Sequence, residues 1–287
     1  MMLQGALAGL AAGGLYAVLA VCLTLMSRLV RVVNFAQSAT GMSGCYVAVF
    51  LSVDLGLPMW LATVAGILLG GLLSALLGWI VSTWLAEADT GTRSAVTVAV
   101  LLLLISLSFI LFGNKPQPFH PILDGPAVTI GGVVISQVTV VTVALAVLVA
   151  VASRIVLSRT PAGVRLRALS ERPTTAELLG IPAKRLSVAV WAVTGVVSTL
   201  VISIVAPSQS NDATSLAMLV VPAAAAALLG GFRRLDLAVA GGLGLGLIQG
   251  AAAQVDGLSV VRYFLPFAVI VALLLWSQRK EVWDAAR

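Results

Sequence analysis

Polar and small residues crowd the first half of one apolar stretch, where a helix facing lipid would carry apolar side chains. They are Asn34, Gln37, Ser38, Thr40, Gly41, Ser43 and Gly44. Such residues are costly in hydrocarbon, and they are tolerated where a helix is broken or lines a water-filled path, as at the binding sites of many transporters. The cluster indicates a route for a polar solute. A polar stripe that faces neighbouring helices would have the same composition.

The rest of the sequence carries no recognisable catalytic or metal-binding set. There is one histidine, His120, and the two cysteines, Cys22 and Cys45, stand far apart in apolar stretches. A lone histidine is far more often a surface residue than a metal ligand, and cysteines so placed suggest no disulfide, metal or redox role. Without a Ser/His/Asp set, paired catalytic carboxylates or a Cys/His cluster, we expect neither an enzyme nor a bound metal or cofactor.

The sequence also shows no energy source of its own for transport. No ionisable side chain lies clearly in the middle of an apolar stretch, whereas proton-driven carriers and pumps keep such groups there. The pattern G-x-x-x-x-G-K-[ST], which forms a phosphate-binding loop, does not occur either. These absences leave a passive channel, a carrier with neutral sites, or the pore subunit of a complex whose partner hydrolyses ATP.

The composition is that of a polytopic membrane protein. Of the 287 residues, 60% are hydrophobic and 10% are charged, and the mean hydropathy is +1.10. A membrane-spanning helix needs about 20 mostly apolar residues. Such stretches lie at residues 3–27, 32–52, 58–85, 94–112, 134–157, 186–206, 216–232, 237–254 and 262–277. We predict an all-α protein with one transmembrane domain over residues 1–287, a bundle of about eight or nine helices with a broken second span.

The basic residues predict the orientation of these spans. With the N-terminus outside, 15 of the 17 basic residues fall on the cytoplasmic side, and only Lys115 and Arg262 fall outside. This asymmetry follows the positive-inside rule, so we expect an external N-terminus and a cytoplasmic C-terminus. No basic residue precedes Arg28, which argues against a cleaved signal peptide. The net charge of +6 therefore comes from basic residues in loops at the surface of the membrane lipid. It gives no reason to expect a nucleic acid partner.

The longest predicted cytoplasmic connection, residues 158–185, has features of a docking site. Helix breakers at residues 160–163 interrupt the preceding span, and a polar stretch follows. Thr174 and Glu177 have the spacing of a capping box, which would begin a short helix that Gly180 ends. A basic loop lying at the lipid headgroups would have the same composition. From the residues alone, both interpretations stay open.

Glycines recur at four-residue spacing in several predicted spans. Such ridges let two helix backbones approach closely in lipid, where dispersion and packing replace the hydrophobic driving force. We therefore predict helix packing at Gly5, Gly9, Gly13, Gly242 and Gly246.

Three motifs, in order along residues 34–248, resemble the inner-membrane permeases of branched-chain amino acid ABC importers. The run NFAQSATGMSGCYVA, residues 34–48, is similar to the N-F-A-H-G-E motif of that family, followed by Met-x-Gly and an aromatic residue. The loop of residues 158–185 follows the T-x-x-G, R-A and A-x-L-L-G-I pattern, and residues 229–246 are similar to the L-G-G-F and glycine-rich run. The three motifs are specific when taken together.

The resemblance implies an importer in a cell membrane of bacterial type. Two such permeases, identical or related, would form the pore, two cytoplasmic ATPase subunits would bind beneath it, and an extracytoplasmic binding protein would deliver the substrate. The translocation path would be lined by Asn34, Phe35, Gln37, Ser38 and Met42. The loop of residues 158–185 would be the segment that couples to the ATPase, with contacts expected at Arg167, Glu171, Ala176, Glu177, Leu179 and Gly180.

The sequence departs from the family pattern in places that concern the substrate. Gln37, Ser38 and Ala39 stand where the family usually has His, Gly and Glu, and Arg233 and Arg234 replace a small pair. Leucine, isoleucine and valine are the substrates that the resemblance implies. Urea, short amides, other amino acids and sugars stay open, as do an autonomous channel or secondary carrier and a structural membrane subunit.

Overall fold

The computed structural model describes residues 2–113, 116–119, 121–130, 133–208, 212–255 and 261–285. Within these ranges the helices are α1 (Met2–Val30), α2 (Gln37–Val53), α3 (Met59–Trp84), α4 (Thr90–Phe112), α5 (Gln137–Arg159), α6 (Pro161–Glu171), α7 (Pro173–Leu178), α8 (Ala183–Val205), α9 (Ala213–Ala217), α10 (Val220–Leu229), α11 (Leu235–Ala252) and α12 (Leu265–Ala285). Two strands, β1 (Pro126–Ile130) and β2 (Val133–Ser136), form a hairpin between α4 and α5. Helices predominate because backbone groups in lipid must pair within their own segment.

Six of the described helices, α1, α3, α4, α5, α8 and α11, are long and apolar enough to cross a membrane. The apolar segments Ala213–Leu229 and Leu265–Trp276 are shorter, and α2 has 17 residues. Each of these elements lies at one of the predicted stretches. The all-α membrane bundle is therefore confirmed, while the count of eight or nine crossings stays a prediction.

The interruption expected in the second span falls before its helix begins. α1 ends at Val30, Arg31 has a φ of +58°, and residues 32–36 are not helical. From Gln37 onward α2 is a regular helix. A break inside the helix is not confirmed, because the polar residues that suggested it lie either in the link before α2 or within its regular turns.

α1 lies at the centre of the bundle. Its side chains from Leu15 to Leu23 are at most 7% exposed, and it packs against α5, α8, α10 and α11. α2 packs against both α3 and α8, which also pack against each other. The outer faces of α3, α4 and α5 carry exposed leucine, isoleucine and valine side chains, as expected for surfaces in contact with hydrocarbon.

α1 and α11 cross at their glycines. A Cβ placed on Gly9 would lie 2.2 Å from the carbonyl oxygen of Gly246, and one on Gly246 would lie 2.3 Å from the Cα of Gly13. Cβ positions on Gly5 and Gly242 would also fall within 3 Å of the facing backbone. The five glycines predicted to pack therefore all lie at this crossing, where two backbones come into direct contact.

The segment between α4 and α5 contains a pair of strands and an aromatic contact to α2. β1 and β2 pair antiparallel, with Thr129 opposite Val134. Phe119 packs edge to face against Tyr46 of α2, with ring centroids 5.9 Å apart. Consecutive β-branched residues in both strands favour this pairing, and the aromatic contact joins the segment to α2. Lys115 and His120 lie outside the described residues.

The predicted cytoplasmic connection consists largely of two helices. Residues 160–163, predicted to be only a break, instead begin α6: Thr160 accepts a hydrogen bond from the Gly163 N–H at 3.1 Å, and Pro161 occupies the first turn. The polar stretch up to Glu171 is therefore helical, since a Thr cap followed by proline is a favourable helix start.

α7 confirms the predicted short helix but not its capping box. It begins at Pro173, one residue before Thr174, and no side chain caps its first turn. Proline at the first helical position has its φ already set for a helix, which accounts for the earlier start. The end is as predicted: Gly180 has a φ of +79°, its N–H donates to Glu177 O, and the Ile181 N–H donates to Ala176 O.

Candidate functional site

The polar residues at the start of α2 form a buried hydrogen-bond network between helices. Asn34 donates through Nδ2 to Gln37 Oε1 at 2.9 Å, and its own Oδ1 accepts from the Ala36 N–H at 3.1 Å. Gln37 Nε2 donates across to α8, to Thr194 O at 2.8 Å and to Ser198 Oγ at 2.6 Å. The amide of Gln37 therefore ties α2 to α8.

The other residues predicted to line a path also lie in packed surroundings. The Ser38 hydroxyl donates to the Ala217 carbonyl of α9, and Met42 is completely buried. Phe35 is half-buried, and its N–H donates to Thr97 Oγ1 of α4 at 3.0 Å. In this conformation Phe35, Gln37 and Ser38 are hydrogen-bonded to neighbouring helices, and Asn34 and Met42 are buried. A route along α2 would require α2 to separate from α8 and α9.

The network makes a prediction about stability. Gln37→Leu would leave the Asn34 Nδ2 donor buried without its acceptor, which should lower the free energy of unfolding by about 1–3 kcal/mol. The midpoint of thermal unfolding in detergent measures the loss. Ser43→Ala is the matched control, because the Ser43 hydroxyl donates only within α2, to Ala39 O. Equal midpoints for the two variants would contradict the assignment of Gln37 as an interhelical tie.

A cavity of about 690 Å³ opens between α1, α10, α11 and α12, toward the end of α1 that carries the N-terminus. Its walls combine the small residues of the α1–α11 crossing with a few polar side chains. The polar ones are Tyr16, Ser208, Ser215, Gln249, Gln254 and Arg262. None of the five residues predicted to line the path borders this cavity. Sequence reasoning missed it, although Gln249 and Gln254 are conspicuous as amides in an apolar span.

The residues predicted to contact an ATPase divide into exposed and packed groups. Glu171, Glu177, Leu179 and Gly180 are exposed at the ends of α6 and α7. Ala176 is only 2% exposed, so its side chain packs within the chain. Arg167 is half-buried and lies beside a second, basic cavity.

The tip of α7 includes a residue that sequence reasoning did not select. Leu178 is 84% exposed and Leu179 is 76% exposed, so two leucines stand next to each other on the surface. Both precede Gly180, whose positive φ turns the chain back toward α8. The sequence did contain a sign of this surface, because Leu178 and Leu179 are two adjacent apolar residues at the end of a short helix that is otherwise mostly polar.

Arg31 joins α6 to the link between α1 and α2. Its guanidinium donates to Ser170 O at 3.1 and 2.6 Å and to Glu171 O at 3.2 Å, at the carbonyl end of α6. Gly163 holds the other end of α6 close to α5, because a Cβ there would lie 2.2 Å from Val156 O. Arg31 was interpreted from sequence only as a topology signal, since hydrogen bonds across 139 positions leave no local pattern.

Comparison with known proteins identifies the family. The profile described as "Branched-chain amino acid transport system / permease component" matches residues 5–274. The chain is 23% identical over 293 residues to the probable branched-chain amino acid transport permease protein LivH of Methanocaldococcus jannaschii, covering 97% of this chain and 86% of that one.

A second relative gives the same result. The high-affinity branched-chain amino acid transport system permease protein BraD of Pseudomonas aeruginosa is 24% identical over 288 residues, covering 96% of this chain and 93% of BraD. No solved structure matches the chain significantly. Because the profile covers nearly the whole sequence, the resemblance found in the three motifs is confirmed, and the chain belongs to the family of branched-chain amino acid transport permeases.

Proposed function

We propose that this permease is the membrane subunit of an ATP-driven importer and carries leucine, isoleucine and valine. Its relatives are named as permeases of branched-chain amino acid transport, which supports this substrate class. The sequence has no phosphate-binding loop for a nucleotide, so ATP hydrolysis is assigned to a separate partner chain.

The observation that carries the proposal is the exposed tip of α7. Leu178 and Leu179 leave most of their side chains uncovered on the side assigned to the cytoplasm. Fully burying a leucine is worth roughly 1.5–3 kcal/mol, so two adjacent exposed leucines favour a partner that covers them. α6 packs against α1 and α5, and α7 packs against α6 and α8, so the two leucines form the exposed end of a segment that is anchored to the bundle.

The proposed mechanism is alternating access. ATP binding would close the two ATPase subunits, and α7 would move with the surface that holds it. The movement would reach the transmembrane helices through α6, Gly163 and the Arg31 hydrogen bonds to Ser170 and Glu171.

The residues Asn34, Phe35, Gln37, Ser38 and Met42 remain our proposed path in the state where α2 separates from α8 and α9. The hydrogen bonds from Gln37 and Ser38 are then the contacts that close the route. The cavity of 690 Å³ at the outer end of α1 would receive the solute. Its volume lies within the range typical of small-molecule sites, about 300–1,000 Å³.

The assembly follows from this mechanism. It comprises two ATPase subunits, a second permease and an extracytoplasmic binding protein, in a plasma membrane with the N-terminus of this chain outside. The positive-inside distribution of basic residues supports the orientation.

Co-purification tests the assembly. A tagged chain expressed in its native host and solubilised gently should retain a Walker-motif ATPase and a second permease, identified by mass spectrometry. Reconstituted with the binding protein, the complex should take up labelled leucine only with ATP, and unlabelled isoleucine and valine should compete. A chain that purifies alone and transports in liposomes without ATP would overturn the proposal.

A further inference from the structure

A second cavity, of about 390 Å³, lies among the ends of α1, α5, α6 and α11 that we assign to the cytoplasmic side. Five arginines and one aspartate border it: Arg28, Arg154, Arg167, Arg233, Arg234 and Asp236. These residues come from four separate elements of the sequence. The fold therefore assembles a charged pocket that no single segment of the sequence reveals.

Most of this positive charge has no partner within the protein. Arg234 forms an ion pair with Asp236 at 2.8 Å. Within the part of the chain that the structure describes, the other four arginines make neither an ion pair nor a side-chain hydrogen bond. The Nε of Arg167 is buried and lacks a partner there. Like charges gathered around one cavity repel each other, and a buried guanidinium N–H without an acceptor is costly, so the site is suited to an anion.

Apolar surfaces lead from the pocket toward the middle of the bundle. On α5, Val147 and Val151 lie on the same face as Arg154 and are 49% and 50% exposed. On α11, Gly244 has no atom near the position of a Cβ, and Ile248, one turn further, is 55% exposed. The exposed ridge of α5 thus ends at Arg154, and the exposed positions of α11 lie about two and three turns beyond Asp236. This arrangement fits a ligand with an anionic head at the arginines and long hydrocarbon chains along the two helices.

We propose that this pocket binds the phosphate-bearing headgroup of an anionic phospholipid from the cytoplasmic leaflet, with the acyl chains lying along the exposed faces of α5 and α11. Guanidinium groups bind phosphate oxygens through paired, charge-assisted hydrogen bonds. Basic pockets between transmembrane helices on the cytoplasmic side are suited to such headgroups. The bound phosphate would supply the acceptor that the Arg167 Nε lacks.

The site touches both ends of the proposed coupling path. Arg167 belongs to α6, while Arg28 lies in the last turn of α1, three residues before Arg31. A lipid bound between them would hold α6 against the bundle. The proposal does not depend on the transported substrate, because the pocket and its charge are properties of this chain alone.

The test uses the purified full-length permease in a neutral detergent. We expect dioleoyl phosphatidylglycerol to raise the midpoint of thermal unfolding, and dioleoyl phosphatidylcholine at the same concentration to leave it unchanged. In the double variant Arg28→Gln, Arg233→Gln, the half-saturating phosphatidylglycerol concentration should rise on the order of tenfold or more. Arg159→Gln is the matched control, because Arg159 is exposed on α5 but does not border the pocket, and it should bind like the wild type.

Two further measurements separate the sources of the anion. Wild-type protein taken from vesicles of equal phosphatidylglycerol and phosphatidylcholine should retain phosphatidylglycerol in excess, a result that does not depend on any variant folding. Inorganic phosphate at the same concentration should not raise the midpoint; stabilisation equal to that of the lipid would assign the site to a soluble anion.

Equal effects of the two lipids would also overturn the proposal. So would a double variant that binds phosphatidylglycerol normally but loses its partner subunits on purification, because the arginines would then form a protein-docking site.

Discussion

Gly246→Ala should prevent α1 and α11 from packing as they do in the wild type. The new Cβ would lie 2.3 Å from the Cα of Gly13 and 2.6 Å from the carbonyl oxygen of Gly9, where ordinary contacts lie at 3.4–4 Å. Both obstacles are backbone, so no side chain can turn aside and the helices must separate. Overpacking of this kind typically costs about 1–3 kcal/mol, and occasionally more. We expect a large fall in the thermal midpoint and in the fraction of monodisperse protein on size-exclusion chromatography.

The matched control lies two residues away on the same helix. Gly244→Ala places its Cβ in open space, with no atom within 4 Å, and alanine favours a helix over glycine by up to about 1 kcal/mol. This variant should be as stable as the wild type or slightly more stable. Gly9→Ala, which approaches the crossing from α1, should reproduce the loss seen with Gly246→Ala. Similar midpoints for Gly244→Ala and Gly246→Ala would show that the backbones are not in contact.

The double variant Leu178→Asp, Leu179→Asp should lose ATP-driven uptake while keeping the stability of the wild type. Both side chains are more than three-quarters exposed, so their replacement removes little packing within the chain. A carboxylate in an apolar cleft of a partner would have to be desolvated without a counterion, which is strongly unfavourable. We expect uptake in vesicles to fall at least tenfold, together with weaker retention of the ATPase on purification.

The control for this variant keeps the positions and the apolar area. Leu178→Met, Leu179→Met conserves volume and hydrophobicity, a replacement that packed sites tolerate well. It should transport at nearly the wild-type rate. Normal uptake by the aspartate variant would contradict the docking assignment, and a lowered thermal midpoint in detergent would show instead that the α7 tip contributes to the fold.

The spans could be located from the sequence because length and hydropathy are local properties. Each predicted stretch contains a helix, and the glycines spaced by four mark a crossing where the backbones of α1 and α11 touch. The role of Gly180 in ending α7 could also be predicted, because only a residue without a Cβ readily adopts its φ of +79°.

Helix starts in the cytoplasmic segment were less predictable. Thr160 and Pro161 look like a break when only the preceding span is considered, yet the same pair caps the next helix. Thr174 and Glu177 have the spacing of a capping box, but Pro173 allows the helix to begin one residue earlier. In each case two neighbouring residues could begin the helix. Which of them does so depends on contacts with the rest of the chain.

The candidate sites depended on contacts that no local pattern encodes. Gln37 could be recognised as an unusual amide in an apolar stretch, but its partners Thr194 and Ser198 lie more than 150 residues away. The exposure of Leu178 and the burial of Ala176, two neighbours on one short helix, are decided by how α7 rests on the bundle. The arginine pocket likewise exists only where four chain segments converge.

The strained backbone of Arg31 makes the position of α6 and the shape of the link before α2 thermodynamically inseparable. A non-glycine residue with a φ of +58° is held roughly 1–2 kcal/mol above its relaxed conformation, and the hydrogen bonds to Ser170 and Glu171 offset that cost only while α6 is in place. Any ligand or subunit that stabilises the docked position of α6 therefore also stabilises this conformation of the link before α2. A ligand that stabilises the link stabilises the docked α6 by the same free energy, because linkage is reciprocal. If an ATPase subunit holds α6 and α7 as proposed, signals would therefore pass in both directions, from that subunit to the membrane helices and from a filled membrane site back to it.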